Sequence, residues 1–63
     1  MYDLTIAEAE GFPPLFTRRY EKVQHAMQDI IPWCIQFGGS YAEINRVDTC
    51  GCVLSAIVDV EAR

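Results

Sequence analysis

From Ser40 to Glu61 the chain runs SYAEINRVDTCGCVLSAIVDVE, with an apolar residue at every second position, Ala42 and Ile44, then Leu54, Ala56, Val58 and Val60, on the two sides of one break, Asp48-Thr49-Cys50-Gly51. A two-residue period is that of a β-strand with one covered face. The break has the form of a type I turn, with Asp at its first position and Gly at its fourth, where a left-handed conformation closes the loop. Strand, turn and strand together predict an antiparallel hairpin, and nothing else in the chain constrains the fold as tightly. With Thr49, Cys50 and Gly51 as the loop, Asp48 faces Cys52, Val47 faces Val53, Arg46 faces Leu54, Ile44 faces Ala56 and Ala42 faces Val58. One face then carries Ala42, Ile44, Leu54, Ala56, Val58 and Val60, with Cys52 and Arg46 toward the turn. The other carries Tyr41, Glu43, Asn45, Val47, Val53, Ser55, Ile57, Asp59 and Glu61. A slip of one residue would exchange the two sets, so the apolar set marks the core face.

Upstream, Tyr2, Leu4 and Ile6 alternate with Asp3, Thr5 and Ala7, which predicts a first strand over residues 2–9. Glu10-Gly11-Phe12-Pro13-Pro14 stops it, because the prolines remove backbone donors and steer Phe12 away from helical angles. Leu15–Tyr20 supports two readings. As a strand it pairs back onto the first; as a helix Phe16, Tyr20, Val23, Met27, Ile30, Cys34 and Phe37 would form one stripe. The strand is favoured, since no good N-cap precedes the prolines and the first strand then has a local partner. From Glu21 the apolar residues Val23, Ala26, Met27, Ile30, Ile31 and Cys34 fall on one side of a helix. Pro32 ends that helix near Ile31 or kinks it, and Gly38-Gly39 is the last place it can stop. The expected fold is α+β: a four-stranded antiparallel sheet, ββαββ, with one amphipathic helix on one face.

A chain of 63 residues makes one domain, 1–63, near the size below which a single core needs help from a metal, disulfides or a partner. Self-association is therefore open from the outset. No apolar run is long enough to cross a bilayer. The Met1-Tyr2-Asp3 start lacks the basic and apolar regions of a signal peptide, so a cytoplasmic protein is expected. The net charge of −4 comes from nine acids spread along the chain, a balance that makes direct nucleic-acid binding unfavourable.

Cys34, Cys50 and Cys52 are odd in number, which argues for reduced thiols rather than a disulfide framework. The spacing Cys50-Gly51-Cys52 does not match paired zinc ligands, and His25 lies off the stripe that carries Cys34 inward, so no metal and no cofactor is expected. Cys34 and Cys52 read as small buried residues and Cys50 as exposed in the turn. No acid–base or nucleophile–base pair has supporting context, so no catalytic residue is assigned and no enzyme activity is expected. Gly38-Gly39-Ser40 leads into a strand, not the helix that a phosphate-cradling loop needs. Arg18, Arg19 and Lys22 form the one basic cluster.

A single helix shields one face of the sheet. The other face, with Tyr41, Val47, Val53 and Ile57 rimmed by Glu43, Asp59 and Glu61, has the composition of an interface. Tyr41, Glu43, Val47, Val53, Ile57 and Asp59 are accordingly the expected partner-binding residues. The outline of a short acidic chain with hairpins, one helix and no catalytic constellation resembles small phage and mobile-element proteins, among them anti-CRISPR inhibitors. That resemblance implies a stoichiometric inhibitor of a host defence protein, which can itself be a nucleic-acid-binding complex. The alternative is a homodimeric regulatory module whose Arg18, Arg19 and Lys22, doubled by symmetry, touch nucleic acid.

Overall fold

The computed structural model describes residues 1–48 and 51–59. In chain order the elements are β1 (Tyr2–Ala7), β2 (Pro14–Tyr20), α1 (Val23–Gln28), α2 (Ile30–Phe37), β3 (Tyr41–Arg46) and β4 (Cys52–Ile57). The strands form one antiparallel sheet in the order β2-β1-β3-β4, so the α+β architecture expected from the alternation is present. Leu15–Tyr20 belongs to a strand. Its partner is β1, with Tyr2 opposite Tyr20, Leu4 opposite Arg18 and Ile6 opposite Phe16 before a bulge sets Ala7 against Pro14.

Leu4 and Ile6 of β1 and Ala42 and Ile44 of β3 are fully buried together with Ala26 of α1 and Cys34 of α2. These side chains share the sheet face predicted from the period. Phe16, Tyr20, Val23, Ile30, Trp33 and Leu54 pack around them, half-buried. Both helices lie over β1 and β2, and α2 reaches β3.

The expected single helix is two. Asp29, at φ −94° and ψ −2°, separates them: its N–H bonds back to Ala26 and Met27, and its carbonyl accepts the first bond of the next helix from Trp33 at 3.1 Å. The interruption thus falls ahead of Pro32 rather than at it. Pro32 becomes the third residue of α2, inside the first turn, where backbone N–H groups lack helical acceptors and a missing donor does no harm. α2 ends at Gly38, which is left-handed at φ 70°, and the chain turns into β3 through Gly39. A Cβ on Gly39 would sit 2.5 Å from Ile6 Cγ2 and 2.9 Å from the Ala7 carbonyl oxygen, so only glycine lets the chain cross β1 this closely.

The C-terminal hairpin keeps its predicted faces but not its predicted register. Tyr41 faces Ile57, Ala42 faces Ala56, Glu43 faces Ser55 and Ile44 faces Leu54. Each pairing is two residues away from the expected one. A shift of two preserves the side-chain faces, so the alternation could not distinguish the registers. β3 stops at Arg46, and Val47 lies in the loop with its N–H on the Met1 carbonyl at 3.1 Å. Val47 therefore does not pair with Val53. Thr49 and Cys50, the centre of the predicted turn, lie outside the described residues, as do Val60 and Glu61. A bulge sets Cys52 opposite Asn45 and leaves Val53 as the extra residue. Cys52, expected in the core, is consequently exposed on the outer side of the break.

Candidate binding surface on the open sheet face

Both helices occupy one side of the sheet, and the strands present their other side chains to the opposite side. Three rows cross that outer face. The first joins Arg19, Asp3 and Asn45; the second joins Thr17, Thr5, Glu43 and Ser55; the third joins Ala7, Tyr41 and Ile57. Cross-strand neighbours of this kind are the contact unit of a sheet, so each row acts as a small cluster.

In the first row Arg19 Nε donates to Asp3 Oδ1 at 3.0 Å and Nη2 to Oδ2 at 3.5 Å. The carboxylate beside it raises the Arg19 pKa further, chiefly through this hydrogen bond. In the second row Glu43 is held from both sides: Asn45 Nδ2 donates to Oε1 at 3.0 Å and the Tyr41 hydroxyl to Oε2 at 3.3 Å. Residues 41, 43 and 45 share a face because they alternate along β3. The carboxylate is thus pre-oriented in the middle of the face.

The third row behaves differently from expectation at one end. Tyr41 is only 8 % exposed, although it points away from the helices. Burial pushes its hydroxyl pKa up, and Glu43 and Glu10 add to this while a hydrogen bond with Ser55 works against it. Its neighbour Ile57 is 87 % exposed, and Val53 is 42 % exposed. Tyr41 and Ile57 line an open depression with Glu10, Ser55 and Ala56. Of the expected partner-binding residues, the structure gathers Tyr41, Glu43 and Ile57 at one end of β3 and β4. It places Val53 four residues along β4, puts Val47 in the loop and leaves Asp59 exposed just beyond the strand. Tyr41 belongs to the folded framework rather than to the free surface.

The basic cluster does not hold together. Consecutive residues in a strand point to opposite faces, so Arg19 joins Asp3 outside while Arg18 lies over the Tyr20 ring on the helix side, 5.5 Å from its centroid. Lys22 sits beyond the strand, ahead of α1.

Sequence reasoning missed a polar chain on the helix side. Trp33 Nε1 donates to the Tyr20 hydroxyl at 2.8 Å, and that hydroxyl donates to Asp29 Oδ2 at 2.6 Å. Burial first, and then the bond to Asp29, raise the Tyr20 pKa. Above this chain Phe16 stacks on Phe37 at 4.7 Å between centroids and tilts against Trp33 at 4.5 Å. The available signal was the spacing Trp33 and Phe37, one helical turn apart on the face toward β2.

Cys34 is sealed in the core, where burial raises its thiol pKa. Among the described residues no three of His, Cys, Asp and Glu come together as a metal-holding group, and no helix is long and apolar enough to cross a membrane. The chain matches no protein-family model, and neither curated proteins nor solved structures yield a significant match to it.

Proposed function

We propose that the protein is a non-enzymatic binding module that occupies a surface of another protein with its open sheet face. The observation that supports this reading is the combination of Ile57, 87 % exposed on a strand, with a carboxylate fixed two strand positions away at Glu43. A side chain of that size in water gains roughly 1.5–3 kcal/mol when it is buried. The pre-oriented Glu43, with Glu10 beside the neighbouring Tyr41, favours a partner with a basic patch beside an apolar one, and acidic steering speeds such encounters. The resemblance to small phage inhibitors makes a host defence protein, one that handles nucleic acid with a basic surface, the proposed partner. The homodimeric nucleic-acid reading loses support, because Arg18 and Arg19 face opposite sides of the sheet and Arg19 is engaged by Asp3.

The test is capture from host extract with wild-type protein and three variants. Ile57→Ser and Glu43→Gln change the proposed surface, while Met27→Ser changes an exposed apolar residue on α1. Proteins retained by wild type and Met27→Ser but lost with Ile57→Ser and Glu43→Gln support the reading. Retention indifferent to the sheet face refutes it. Tyr41→Ala is unsuitable as a surface probe, since removing a buried ring perturbs the fold itself.

A further inference from the structure

The two edges of the sheet are chemically unlike. β2 exposes one edge and is guarded by Pro13 and Pro14 at its start and by Arg18 and Arg19 within it, the devices that keep an edge strand from pairing with another chain. β4 exposes the other edge, and the eight residues Gly51 to Val58 contain neither a charge nor a proline.

Among the described residues, the hydrogen-bonding groups of β4 that have no partner strand can be named. Val58 N–H bonds to the Ser40 carbonyl at 2.8 Å, so by alternation Val58, Ala56 and Leu54 direct their backbone groups to β3. Ile57, Ser55 and, at the bulge, Val53 direct theirs away from the sheet. The exposed side chains Ile57 and Val53 therefore sit on the residues whose backbone is open.

This strand is also nearly palindromic in character about Ser55: Leu54 and Ala56 flank it, then Val53 and Ile57, then Cys52 and Val58. We propose that β4 pairs antiparallel with β4 of a second copy of this chain, about a two-fold axis at Ser55, to give a continuous eight-stranded sheet. Such a contact is isologous, the same patch serving both copies. Val53 then faces Ile57 of the second copy on the outer side, two β-branched residues twice over. Leu54 faces Ala56 on the inner side, a large residue against a small one, and Ser55 meets Ser55 of the second copy through their outward backbone N–H and C=O groups. On the helix side, where Leu54 and Ala56 remain half-exposed, the two copies extend each other's core. The net charge of −4 on each copy opposes association in general, and β4 is the stretch where the two chains meet without carrying any of it. A second copy fits this edge better than an unrelated peptide because the order of side chains is matched to itself.

The pairing uses the edge of the strand and does not depend on the partner proposed for the face. Sedimentation equilibrium of the purified full chain, from micromolar to millimolar protein, reads it directly. Wild type is expected to dimerise in that range. Ser55→Pro removes an outward N–H that makes no bond to β3, and Ile57→Lys places a charge opposite Val53 on a side chain already in water; each should weaken dimerisation by on the order of 100-fold while leaving circular dichroism unchanged. Thr17→Pro, the equivalent change on the β2 edge, should leave the dimer intact. A wild-type chain that stays monomeric at millimolar concentration overturns the proposal, as does a dimer insensitive to Ile57→Lys or one lost with Thr17→Pro. Loss of dimerisation in Glu43→Gln would point to face-to-face association and overturn it too. Should Ser55→Pro fail to fold, Ile57→Lys carries the test alone. A strict monomer whose capture of a partner still requires Glu43 would remove the paired edge and leave the binding face standing.

Discussion

Replacing Tyr20 with Phe removes one oxygen atom and with it the link between β2 and the junction of α1 and α2. The hydroxyl accepts from Trp33 at 2.8 Å and donates to the Asp29 carboxylate at 2.6 Å. A hydrogen bond between neutral groups is worth about 0.5–1.5 kcal/mol and one to a charged group about 1.5–3 kcal/mol. The site is half-buried, so water partly replaces what is lost, and about 2 kcal/mol is the expected net destabilisation. In a domain of this size each kcal/mol moves the melting temperature by about 4–8 °C, which puts the Tyr20→Phe midpoint about 8–16 °C below wild type. The Arg18 contact with the ring face survives the change, since Phe offers the same π-surface, and does not confuse the reading.

The assay is thermal unfolding followed by circular dichroism for wild type, Tyr20→Phe, Asp29→Ala and the double variant. Residues in one hydrogen-bonded chain are non-additive, and the cycle should give a coupling of about 1 kcal/mol or more. The pH dependence supplies a second check. The folded protein holds the Tyr20 proton more tightly than the unfolded chain does, because burial and the bond to Asp29 raise its pKa. Above the unfolded tyrosine pKa, about 10, the native state binds more protons, so stability falls as pH rises. The advantage of wild type over Tyr20→Phe should therefore be constant below that pH and shrink as pH climbs through the raised native pKa. Tyr41 titrates alike in both proteins and cancels. A melting difference under about 2 °C, with zero coupling to Asp29, would mean that the polar chain contributes nothing and that the reasoning is wrong.

Gly39→Ala should destabilise by about 2–4 kcal/mol, combining overpacking against Ile6 with damage to the Ser40 to Ala7 hydrogen bond. Gly38→Ala, where a Cβ meets open space and only the left-handed backbone resists, should lose about 1–2 kcal/mol; denaturant titration of both distinguishes close approach from backbone strain, and equal losses would contradict the geometry. Alkylation of the native protein followed by peptide mapping should modify Cys52 and spare Cys34 until the chain unfolds. Rapid labelling of Cys34 under native conditions would show that the layer between α2 and the sheet opens.

The fold was legible because its main signals are local and periodic. Alternation through Tyr2–Ala7 and Tyr41–Arg46 marked the two central strands, and the same four residues it turned inward, Leu4, Ile6, Ala42 and Ile44, form the buried sheet core. The hairpin register was not legible, since pairings two residues apart bury the same side chains and the turn residues do not fix whether the loop takes three residues or five. The break at Asp29 was hidden for another reason. Pro32 is the obvious breaker, but the chain avoids its penalty by restarting the helix three residues earlier, and what holds Asp29 there is Tyr20, a residue of β2. The assignment of Tyr41 to the outer face was right while its expected exposure was not, because exposure depends on what Glu10 and Ser55 place around the ring. The split of Arg18 from Arg19 was readable in advance, since neighbours in a strand cannot share a face.

The outer face also shows where a partner has something to gain. Glu43, held by the neutral donors of Asn45 and Tyr41, keeps its charge for a partner, but across β2 and β1 the charged groups are already matched within the chain, Arg19 with Asp3. A partner laid over those groups must displace bonds that exist, and exposed pairs of this kind return little when they are rearranged. At β4 the balance reverses. Ile57 and Val53 are apolar surface in water, and the backbone groups beside them face away from the sheet. Association there would bury apolar area and form hydrogen bonds without breaking backbone bonds of the sheet, so in both proposed assemblies the expected gain is concentrated within a few residues of Ser55. Substitutions at Thr17 or Thr5 should then leave association nearly unchanged, whereas a single charge at Ile57 removes most of it.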